Sequence, residues 1–193
     1  MNTLDYYNRN AEAYALQTWA LDMADWYTDF EECLKPGAHI LDLGCGGGRD
    51  SRHFMEKGFS VVPVDGSPEM CRAAEAYTGV PVRCVKFSEL DYIEEFDGIW
   101  ANASLLHVPK AEYGAVIKKV ERAMKPDAVL YGSFKHGEGE RDIEGRHFSF
   151  YNESDLDKLT NLSLIKYWIS DDLRPDHPEK WQCTLWRKQA DMT

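Results

Sequence analysis

Residues 40–50, with the sequence ILDLGCGGGRD, place an apolar strand directly before a glycine-rich turn and the polar start of a helix. In an open α/β sheet this junction lies beyond the carboxyl ends of the strands, where such sheets bind ligands. Glycine suits the junction because the chain turns tightly and its backbone must approach a ligand without Cβ atoms in between. The stretch therefore predicts a ligand-binding loop after the first strand of a doubly wound α/β domain.

The spacing of the glycines distinguishes two classes of ligand. A dinucleotide fingerprint requires glycine at its first, third and sixth positions, but the sixth position counted from Gly44 is Arg49. The loop has the pattern acid-x-Gly-x-Gly-x-Gly, and its acid, Asp42, would repel a pyrophosphate but suits an ammonium group. Asp65 lies 21 residues after Gly44, at the end of the second predicted strand, where a carboxylate accepts hydrogen bonds from ribose hydroxyls. These residues favour S-adenosylmethionine (AdoMet), which carries an ammonium group and a ribose and has no pyrophosphate, over NAD.

Apolar patterning outside the loop predicts alternating strands and helices, as in a parallel sheet with crossover helices. One or two helices over residues 4–34 precede the first strand. The predicted strands cover 38–43, 59–64, 82–85, 96–101 and 129–134, and the predicted helices cover 49–57, 68–77 and 110–124. We expect a single domain over 1–193, with 1–35 as a helical lid over the cofactor site and 36–193 as the α/β core.

The last quarter of the chain departs from this alternation. Residues 136–145 are polar and rich in glycine, which predicts a loop, and Ser154 is expected to cap a short helix that ends at Leu159. Strand-like runs at 162–169 and 181–187 flank a loop with two prolines. They predict an antiparallel hairpin appended to the sheet.

Composition argues against several kinds of partner. A net charge of −11 opposes binding to nucleic acids, which needs basic surface that displaces counterions from phosphates. The N-terminus lacks the basic and apolar regions of a signal peptide, and no run of about 18 apolar residues occurs, so we expect a cytoplasmic protein that does not bind membranes. The five cysteines lack metal-ligand spacing, so we expect reduced thiols and no metal. We expect a monomer or a weak homodimer.

Several motifs occur in the order found in one enzyme family. Residues 42–48, Asp65, the 96–99 strand followed by Leu105-Leu106-His107, and Lys125-Pro126-Asp127 resemble the ordered motifs of class I AdoMet-dependent methyltransferases. Within that superfamily the chain resembles small bacterial members grouped with tellurite-resistance methyltransferases. The stretches that carry this narrower resemblance are 7–14, 48–51, 133–135 and the closing strand around Trp181. The resemblance implies a seven-stranded Rossmann-like sheet in the order 3-2-1-4-5-7-6, with the last strand antiparallel.

The resemblance also implies which residues hold AdoMet. The glycine loop would wrap the methionine end, Asp65 would bind the ribose, and residues after the second and third strands would border the adenine. The implied cofactor residues are Asp42, Gly44, Cys45, Gly46, Gly48, Arg49, Asp65, Gly66, Ser67, Met70, Phe87, Ser88, Ala101 and Asn102. Tyr6 and Tyr14 either close over the cofactor or are core aromatics at helical spacing. Arg49 reaches the AdoMet carboxylate, caps its own helix through Asp50, or points to water.

Methyl transfer from a sulfonium is an in-line displacement, so positioning supplies much of the catalysis and a general base is optional. No catalytic residue is identified, and the candidates are His107, Lys135, His136 and Arg146. His107 is either a base or a structural residue, because its Leu-Leu-His run recurs in relatives with unrelated substrates. The cations of the insertion from Lys135 to Tyr151, which include Arg141, Arg146 and His147, are either solvated or form one wall of a pocket for an anionic or oxyanion acceptor.

Two absent motifs narrow the acceptor. The fourth strand ends in Ala101-Asn102-Ala103-Ser104 and lacks the Asn/Asp-Pro-Pro-aromatic motif that grips an amino group, and no Pro-Cys pair offers a nucleophile for cytosine C5. With the acidic charge, this favours a small-molecule acceptor over RNA, DNA or protein. The expected function is AdoMet-dependent methylation (EC class 2.1.1), with S-adenosylhomocysteine as product. The alternatives are a non-catalytic AdoMet-binding protein and a nicotinamide-dependent oxidoreductase.

Overall fold

The computed structural model describes residues 2–156, 158–174 and 177–190. Its helices are α1 (Thr3–Trp19), α2 (Ala24–Glu31), α3 (Arg49–Glu56), α4 (Pro68–Thr78), α5 (Lys110–Ala123) and α6 (Glu153–Leu156). Its strands are β1 (His39–Leu43), β2 (Ser60–Asp65), β3 (Arg83–Cys84), β4 (Phe96–Ala101), β5 (Met124–Lys135), β6 (Glu140–Ile143), β7 (Arg146–Ser149), β8 (Ser163–Asp171) and β9 (Lys180–Arg187). Short 3₁₀ turns at Phe87–Glu89 and Leu105–His107 follow β3 and β4.

The main sheet has seven strands in the order β3-β2-β1-β4-β5-β9-β8. Strands β1 to β5 are parallel, whereas β9 pairs antiparallel with both β5 and β8. The doubly wound order expected from the sequence is therefore confirmed, with β9 as the antiparallel strand. The only change is in numbering, because the hairpin of β6 and β7 precedes the last two strands of the sheet.

The loop predicted over 136–145 is wrong, because half of this hairpin lies in it. Strands β6 and β7 pair antiparallel from Glu140↔Ser149 to Ile143↔Arg146. The two residues between them, Glu144 and Gly145, both have positive φ, at 53° and 80°, as a type I′ turn requires. Asparagine or aspartate before glycine is the usual signal for this turn, and glutamate in that position conceals it.

The two N-terminal helices have different surroundings. Helix α1 lies against α4 and the glycine loop, and its N-cap Asn2 forms a capping box with Asp5. Helix α2 instead belongs to the hydrophobic core, because Phe30 is fully buried and its ring lies 5.2 Å from that of Trp100 on β4. Of residues 1–35, α1 is the part that lies against the glycine loop, and the lid over 1–35 stays a prediction.

A polar cluster is buried between α2, α3 and β4. The carboxylate of Asp50 accepts hydrogen bonds from Tyr27 Oη (2.6 Å), Arg49 Nε (2.6 Å), Trp100 Nε1 (2.8 Å) and Asn102 Nδ2 (3.2 Å). Burial alone would raise the pKa of Asp50, but Arg49 and these donors hold it below the usual range of an aspartate. Asp50 is therefore a permanently ionised anchor.

The environment of a second buried carboxyl group, that of Asp42 on β1, stabilises the charged form less than the environment of Asp50 does. It is 2% exposed and accepts a hydrogen bond from Ser51 Oγ at 2.5 Å. Burial and the neighbouring charge of Asp50 raise the pKa of Asp42 to about 8. The two carboxyl groups share one guanidinium, Arg49, so Asp42 holds a proton at neutral pH.

No helix among the residues that the structure describes is long and apolar enough to span a membrane.

We expect Gly98→Ala to destabilise the protein by about 1–3 kcal/mol, the usual cost of overpacking. A Cβ atom at Gly98 on β4 would lie 2.7 Å from Phe30 Cζ and 3.1 Å from Leu34 Cδ2, so α2 would have to move. Urea denaturation would measure the change. Gly114→Ala in α5 is the matched control, because its Cβ would meet no atom within 4 Å and alanine favours a helix. Equal effects of the two substitutions would contradict this account of how α2 packs.

We expect Asp42→Asn to make the free energy of unfolding less dependent on pH. Because folding raises the pKa of Asp42 from about 4 to about 8, the folded state binds the extra proton between these values. The wild type therefore loses stability as pH rises through this window. In urea denaturation, the free energy of unfolding of Asp42→Asn should rise relative to that of the wild type from pH 5 to pH 8. Asp25→Asn, on the exposed side of α2, should show no such relative change. A constant difference between variant and wild type would show that Asp42 is ionised throughout.

Candidate functional site

One cavity of about 550 Å³ runs along the carboxyl ends of the parallel strands. The glycine loop and the ends of β2 and β4 line one part of it. Helix α1 covers it, and the insertion from Lys135 to Tyr151 closes the far part. The cavity therefore lies where an open α/β sheet binds ligands.

The glycine loop owes its shape to two backbone contacts. The N–H groups of Gly44 and Cys45 both donate to the carbonyl oxygen of Val64 on β2, at 2.8 and 2.9 Å. Gly44 has a φ of +79°, and a Cβ atom there would lie 2.5 Å from Cβ of Ser104. A side chain at Gly44 is therefore excluded both by backbone conformation and by the turn after β4.

Asp65 stands at the end of β2 and lines the cavity. Its Oδ2 accepts from Gly46 N–H at 3.0 Å and its Oδ1 from Ser67 N–H at 2.8 Å. Burial raises the pKa of Asp65 to about 6, and these backbone donors oppose the shift. The glycine loop thus fixes the orientation of a carboxylate that has acceptor positions left for a ligand.

Most of the implied cofactor residues meet at this cavity. Those that line it are Tyr14, Gly44, Cys45, Gly46, Arg49, Asp65, Gly66, Met70, Phe87, Ser88 and Asn102. Arg49 Nε bonds to Asp50, and Arg49 Nη1 bonds to Thr18 O at 3.3 Å, so this side chain is tied to its own helix and to α1.

Five implied residues are not brought to the cavity, and they are Tyr6, Asp42, Gly48, Ser67 and Ala101. Asp42 is enclosed beneath the loop against Ser51, so the direct ammonium contact expected of it does not follow from its position. Ser67 is the buried N-cap of α4 and bonds to Met70 N–H and to Asn8. Gly48 packs on α4 with a φ of +84°, and Ala101 is fully buried in β4.

The lining residues that the sequence analysis did not name as site residues include Tyr7 and Asp50. Tyr7 rather than Tyr6 faces the cavity, since Tyr7 and Tyr14 lie two helical turns apart on one face of α1. That spacing was available in the sequence and would have selected Tyr7. Asp50 also lines the cavity, but only the fold reveals this, because its donors come from distant segments.

The far part of the cavity contains three of the four catalytic candidates, His107, Lys135 and Arg146, whereas His136 does not line it. Lys135 is 6% exposed and its Nζ lies 3.0 Å from Glu179 Oε1. Arg146 packs on the ring of Tyr6 at 4.3 Å.

The two arginines of the insertion differ in position. Arg146 lines the cavity and its Nη2 lies 2.9 Å from Glu144 Oε2, while its Nε is buried without a hydrogen-bond partner. Arg141 instead lies over the ring of Phe150 at 4.7 Å and does not line the cavity. The insertion is thus one wall of the cavity, and of its two arginines only Arg146 faces inward.

His107 follows β4 and is held by two contacts. Its Nδ1 lies 2.6 Å from the carbonyl oxygen of His147, and its Nε2 lies 2.8 Å from Tyr7 Oη. Burial lowers the pKa of His107 to about 4, so the ring is neutral at physiological pH. The side chain joins α1, the turn after β4 and strand β7.

Within the described residues, one group could place three metal ligands together, namely Asp172, His177 and Glu179. The chain's own cations already occupy its carboxylates. Asp172 accepts two hydrogen bonds from the Arg174 side chain, and Glu179 pairs with Lys135. This group does not fit a metal as it stands, because a cation would have to displace both partners.

Comparisons with known proteins agree with this geometry. A family model described as "Methyltransferase domain" matches residues 40–127, which include the glycine loop, Asp65 and β4. The chain is 31% identical over 106 residues to a ubiquinone biosynthesis O-methyltransferase of Nitrobacter winogradskyi, a match that covers 52% of this chain and 40% of the relative. The chain thus matches less than half the length of this curated relative.

Two solved structures share the fold. A 1,6-didemethyltoxoflavin-N1-methyltransferase of Burkholderia thailandensis, solved with S-adenosylhomocysteine, has a TM-score of 0.77 at 23% identity and covers 96% of this chain and 85% of its own. The [4+2]-cyclase SpnF has a TM-score of 0.74 at 18% identity and covers 96% of this chain and 94% of its own. The narrower resemblance to tellurite-resistance methyltransferases stays a prediction. The family model over residues 40–127, the order of the strands and the loop at residues 42–48 agree with the resemblance to the class I AdoMet-dependent methyltransferases.

Proposed function

We propose that this chain binds AdoMet on the glycine loop and transfers its methyl group to a small acceptor that carries one negative charge on an apolar body. The observation that carries the proposal is the continuity of the cavity. Asp65 and the glycine loop line one part of it, and Arg146 and Lys135 line another. A donor and an acceptor could therefore lie next to each other in one continuous cavity, as an in-line displacement requires.

The part of the cavity lined by the glycine loop, Asp65 and Asn102 is called the cofactor half, and it fits the parts of AdoMet. Asp65 offers an oriented carboxylate to the ribose, and Phe87 and Met70 supply apolar surface on either side of an adenine ring. The methionine end would lie against the backbone of Gly44 to Gly46 and against Asn102. Bound AdoMet supplies an electrophilic methyl group on a sulfonium, and these residues orient it.

The part of the cavity lined by Lys135, Arg146 and Phe148 is called the acceptor half. Ion pairs within the protein limit its charge. Lys135 is neutralised by Glu179, and Arg174 by Asp172. Arg146 pairs with Glu144, which is 70% exposed, so this interaction is weak and easily replaced. One guanidinium with a buried, unpartnered Nε is therefore available, which suits a single carboxylate or other oxyanion.

Apolar side chains also line the acceptor half and argue for a small acceptor with an apolar body. Phe148, Trp181 and Leu106 line the acceptor half. The net charge of −11 opposes a polyanionic substrate. Two related proteins are named for transfer to oxygen or nitrogen of small molecules, which supports such an acceptor here.

The alternatives expected from the sequence remain distinguishable. A structural relative titled a [4+2]-cyclase shares the fold, so fold alone does not determine the reaction. A chain that bound AdoMet but methylated nothing would be the non-catalytic alternative. A nicotinamide-dependent oxidoreductase is disfavoured because a fingerprint glycine is replaced by Arg49, whose side chain is tied to Asp50.

We expect calorimetric titration to detect binding of AdoMet and S-adenosylhomocysteine and none of NAD. Asp65→Ala should weaken AdoMet binding by roughly 1–3 kcal/mol, the range for hydrogen bonds to a charged group. Asp91→Ala, which removes an exposed carboxylate paired with Arg83, is the control and should leave the dissociation constant unchanged. Binding of NAD without AdoMet, or an unchanged constant for Asp65→Ala, would contradict the assignment of the cofactor half.

We expect radiolabelled AdoMet to methylate phenols that carry one carboxylate, such as 4-hydroxybenzoate, in preference to the matched amide, 4-hydroxybenzamide. Arg146→Gln should lower kcat/KM for the acid roughly 10- to 100-fold and leave the amide unaffected, because only the acid uses the guanidinium. Arg141→Gln is the matched control from the same hairpin, outside the cavity. Equal losses on acid and amide would refute the anionic acceptor, and methylation of amines alone would refute the acceptor class.

A further inference from the structure

A tyrosine–histidine pair lines the cavity and has no part in the binding roles assigned above. Tyr7 projects from α1 and His107 from the turn after β4, and both line the cavity. Their side chains meet at 2.8 Å, from Tyr7 Oη to His107 Nε2. The two residues are 100 positions apart in the chain, so the fold creates this contact.

The hydrogen-bond partners determine where the protons are. The carbonyl oxygen of His147 can only accept, so His107 Nδ1 donates to it across 2.6 Å. Since burial lowers the pKa of His107 to about 4, the ring carries one proton, and Nε2 has a free lone pair. Tyr7 must then donate its hydroxyl proton to Nε2. The pair is oriented as a proton-accepting chain that ends on His107.

Charged and titratable groups lie near both members of the pair. Arg146 and Tyr14 interact with Tyr7, and burial raises the pKa of Tyr7 while Arg146 opposes that rise. Arg146, His147 and Lys135 add positive potential at His107 and disfavour a second proton on it. An imidazolium is therefore costly while the cavity already holds a cation.

Methyl transfer removes such a cation. The sulfonium of AdoMet is positive and the sulfur of S-adenosylhomocysteine is neutral, so the cofactor half loses one positive charge in the reaction. A proton that arrives on His107 as the methyl group leaves sulfur restores the same total charge in the cavity. The cost of forming a buried imidazolium falls as the reaction proceeds.

We propose that Tyr7 and His107 accept the proton of the acceptor's hydroxyl or N–H group during methyl transfer. The proposal rests on the proposed function and adds to it that the methylated atom carries a proton. The acceptor's oxygen or nitrogen forms a bond to the methyl carbon, the carbon–sulfur bond breaks, and its electron pair stays on sulfur. The acceptor's proton moves to Tyr7 Oη, and the Tyr7 proton moves to His107 Nε2. The imidazolium then loses this proton to water after product release.

The kinetic test compares two acceptors that differ in acidity. With 4-hydroxybenzoate, Tyr7→Phe and His107→Gln should each lower kcat roughly 10²- to 10⁴-fold, the range for loss of general-base catalysis, without changing the KM for AdoMet. With 4-hydroxy-3-nitrobenzoate, whose phenol is already ionised at neutral pH, the loss should nearly vanish. The residual rate of the variants on 4-hydroxybenzoate should rise with pH, while the wild-type rate stays flat between pH 6 and 8. Equal losses on both acceptors would overturn the proposal, because a structural defect does not depend on acceptor acidity.

Matched controls separate chemistry from folding. Tyr113→Phe removes a buried hydroxyl group that has no hydrogen-bond partner, and His39→Gln alters a histidine at the start of β1, outside the cavity. Both should keep the wild-type kcat on both acceptors. A loss of kcat in Tyr113→Phe as large as that in Tyr7→Phe would overturn the assignment.

A second measurement requires no acceptor. Nitrogen-15 NMR of histidine side chains, recorded with bound S-adenosylhomocysteine between pH 6 and 8, should show His107 neutral with its proton on Nδ1. A proton on Nε2, or an imidazolium in this range, would overturn the proposal. If neither phenol is methylated, the proposed function fails, whereas the NMR result still decides whether His107 has a free lone pair toward Tyr7.

Discussion

The buried carboxylate of Asp50 is the constraint on which the site depends. Its four donors come from α2, α3, β4 and the residue after β4. They hold the start of α3 in place, so the end of the glycine loop that leads into α3 is fixed in position. Loss of one of these donors would leave a buried anion less well paired and would strongly destabilise the protein. The packing of the aromatic core and the shape of the cavity therefore depend on each other.

Electrostatic balance accounts for much of the cavity's chemistry. The cofactor half has the ionised carboxylates of Asp50 and Asp65 near one contacting guanidinium, so it favours a ligand with positive charge. The acceptor half has its cations paired one by one, except for the free Nε of Arg146. In the proposed reaction, this opposition of charge would orient a positive donor and a negative acceptor toward each other.

The insertion adds one wall to the cavity of a widely shared fold, and we propose that the acceptor binds there. Parallel strands β1 to β5 position the glycine loop, the Asp65 carboxylate and other residues that line the cavity. Strands β6 and β7 then bring Arg146 and Phe148 over the same cavity, and His147 N–H donates to Thr3 Oγ1 on α1 at 2.9 Å. The acceptor wall and the helical cover are thus connected, so the two close the cavity together.

Local periodicity, turn chemistry and spacing along the sequence determined the alternation of strands and helices, the glycine loop and the position of Asp65. The strand order came from the resemblance to the class I AdoMet-dependent methyltransferases. The sequence also indicated that the insertion faces the ligand edge of the sheet. Only the tertiary structure decided which polar side chains reach the cavity. Asp42 lies under the loop while Asp50 reaches it, and Tyr7 meets His107, because burial and hydrogen-bond partners depend on segments far apart in sequence. The β6–β7 hairpin was missed for a local reason, since glutamate before Gly145 is an unusual residue in a turn that requires positive φ.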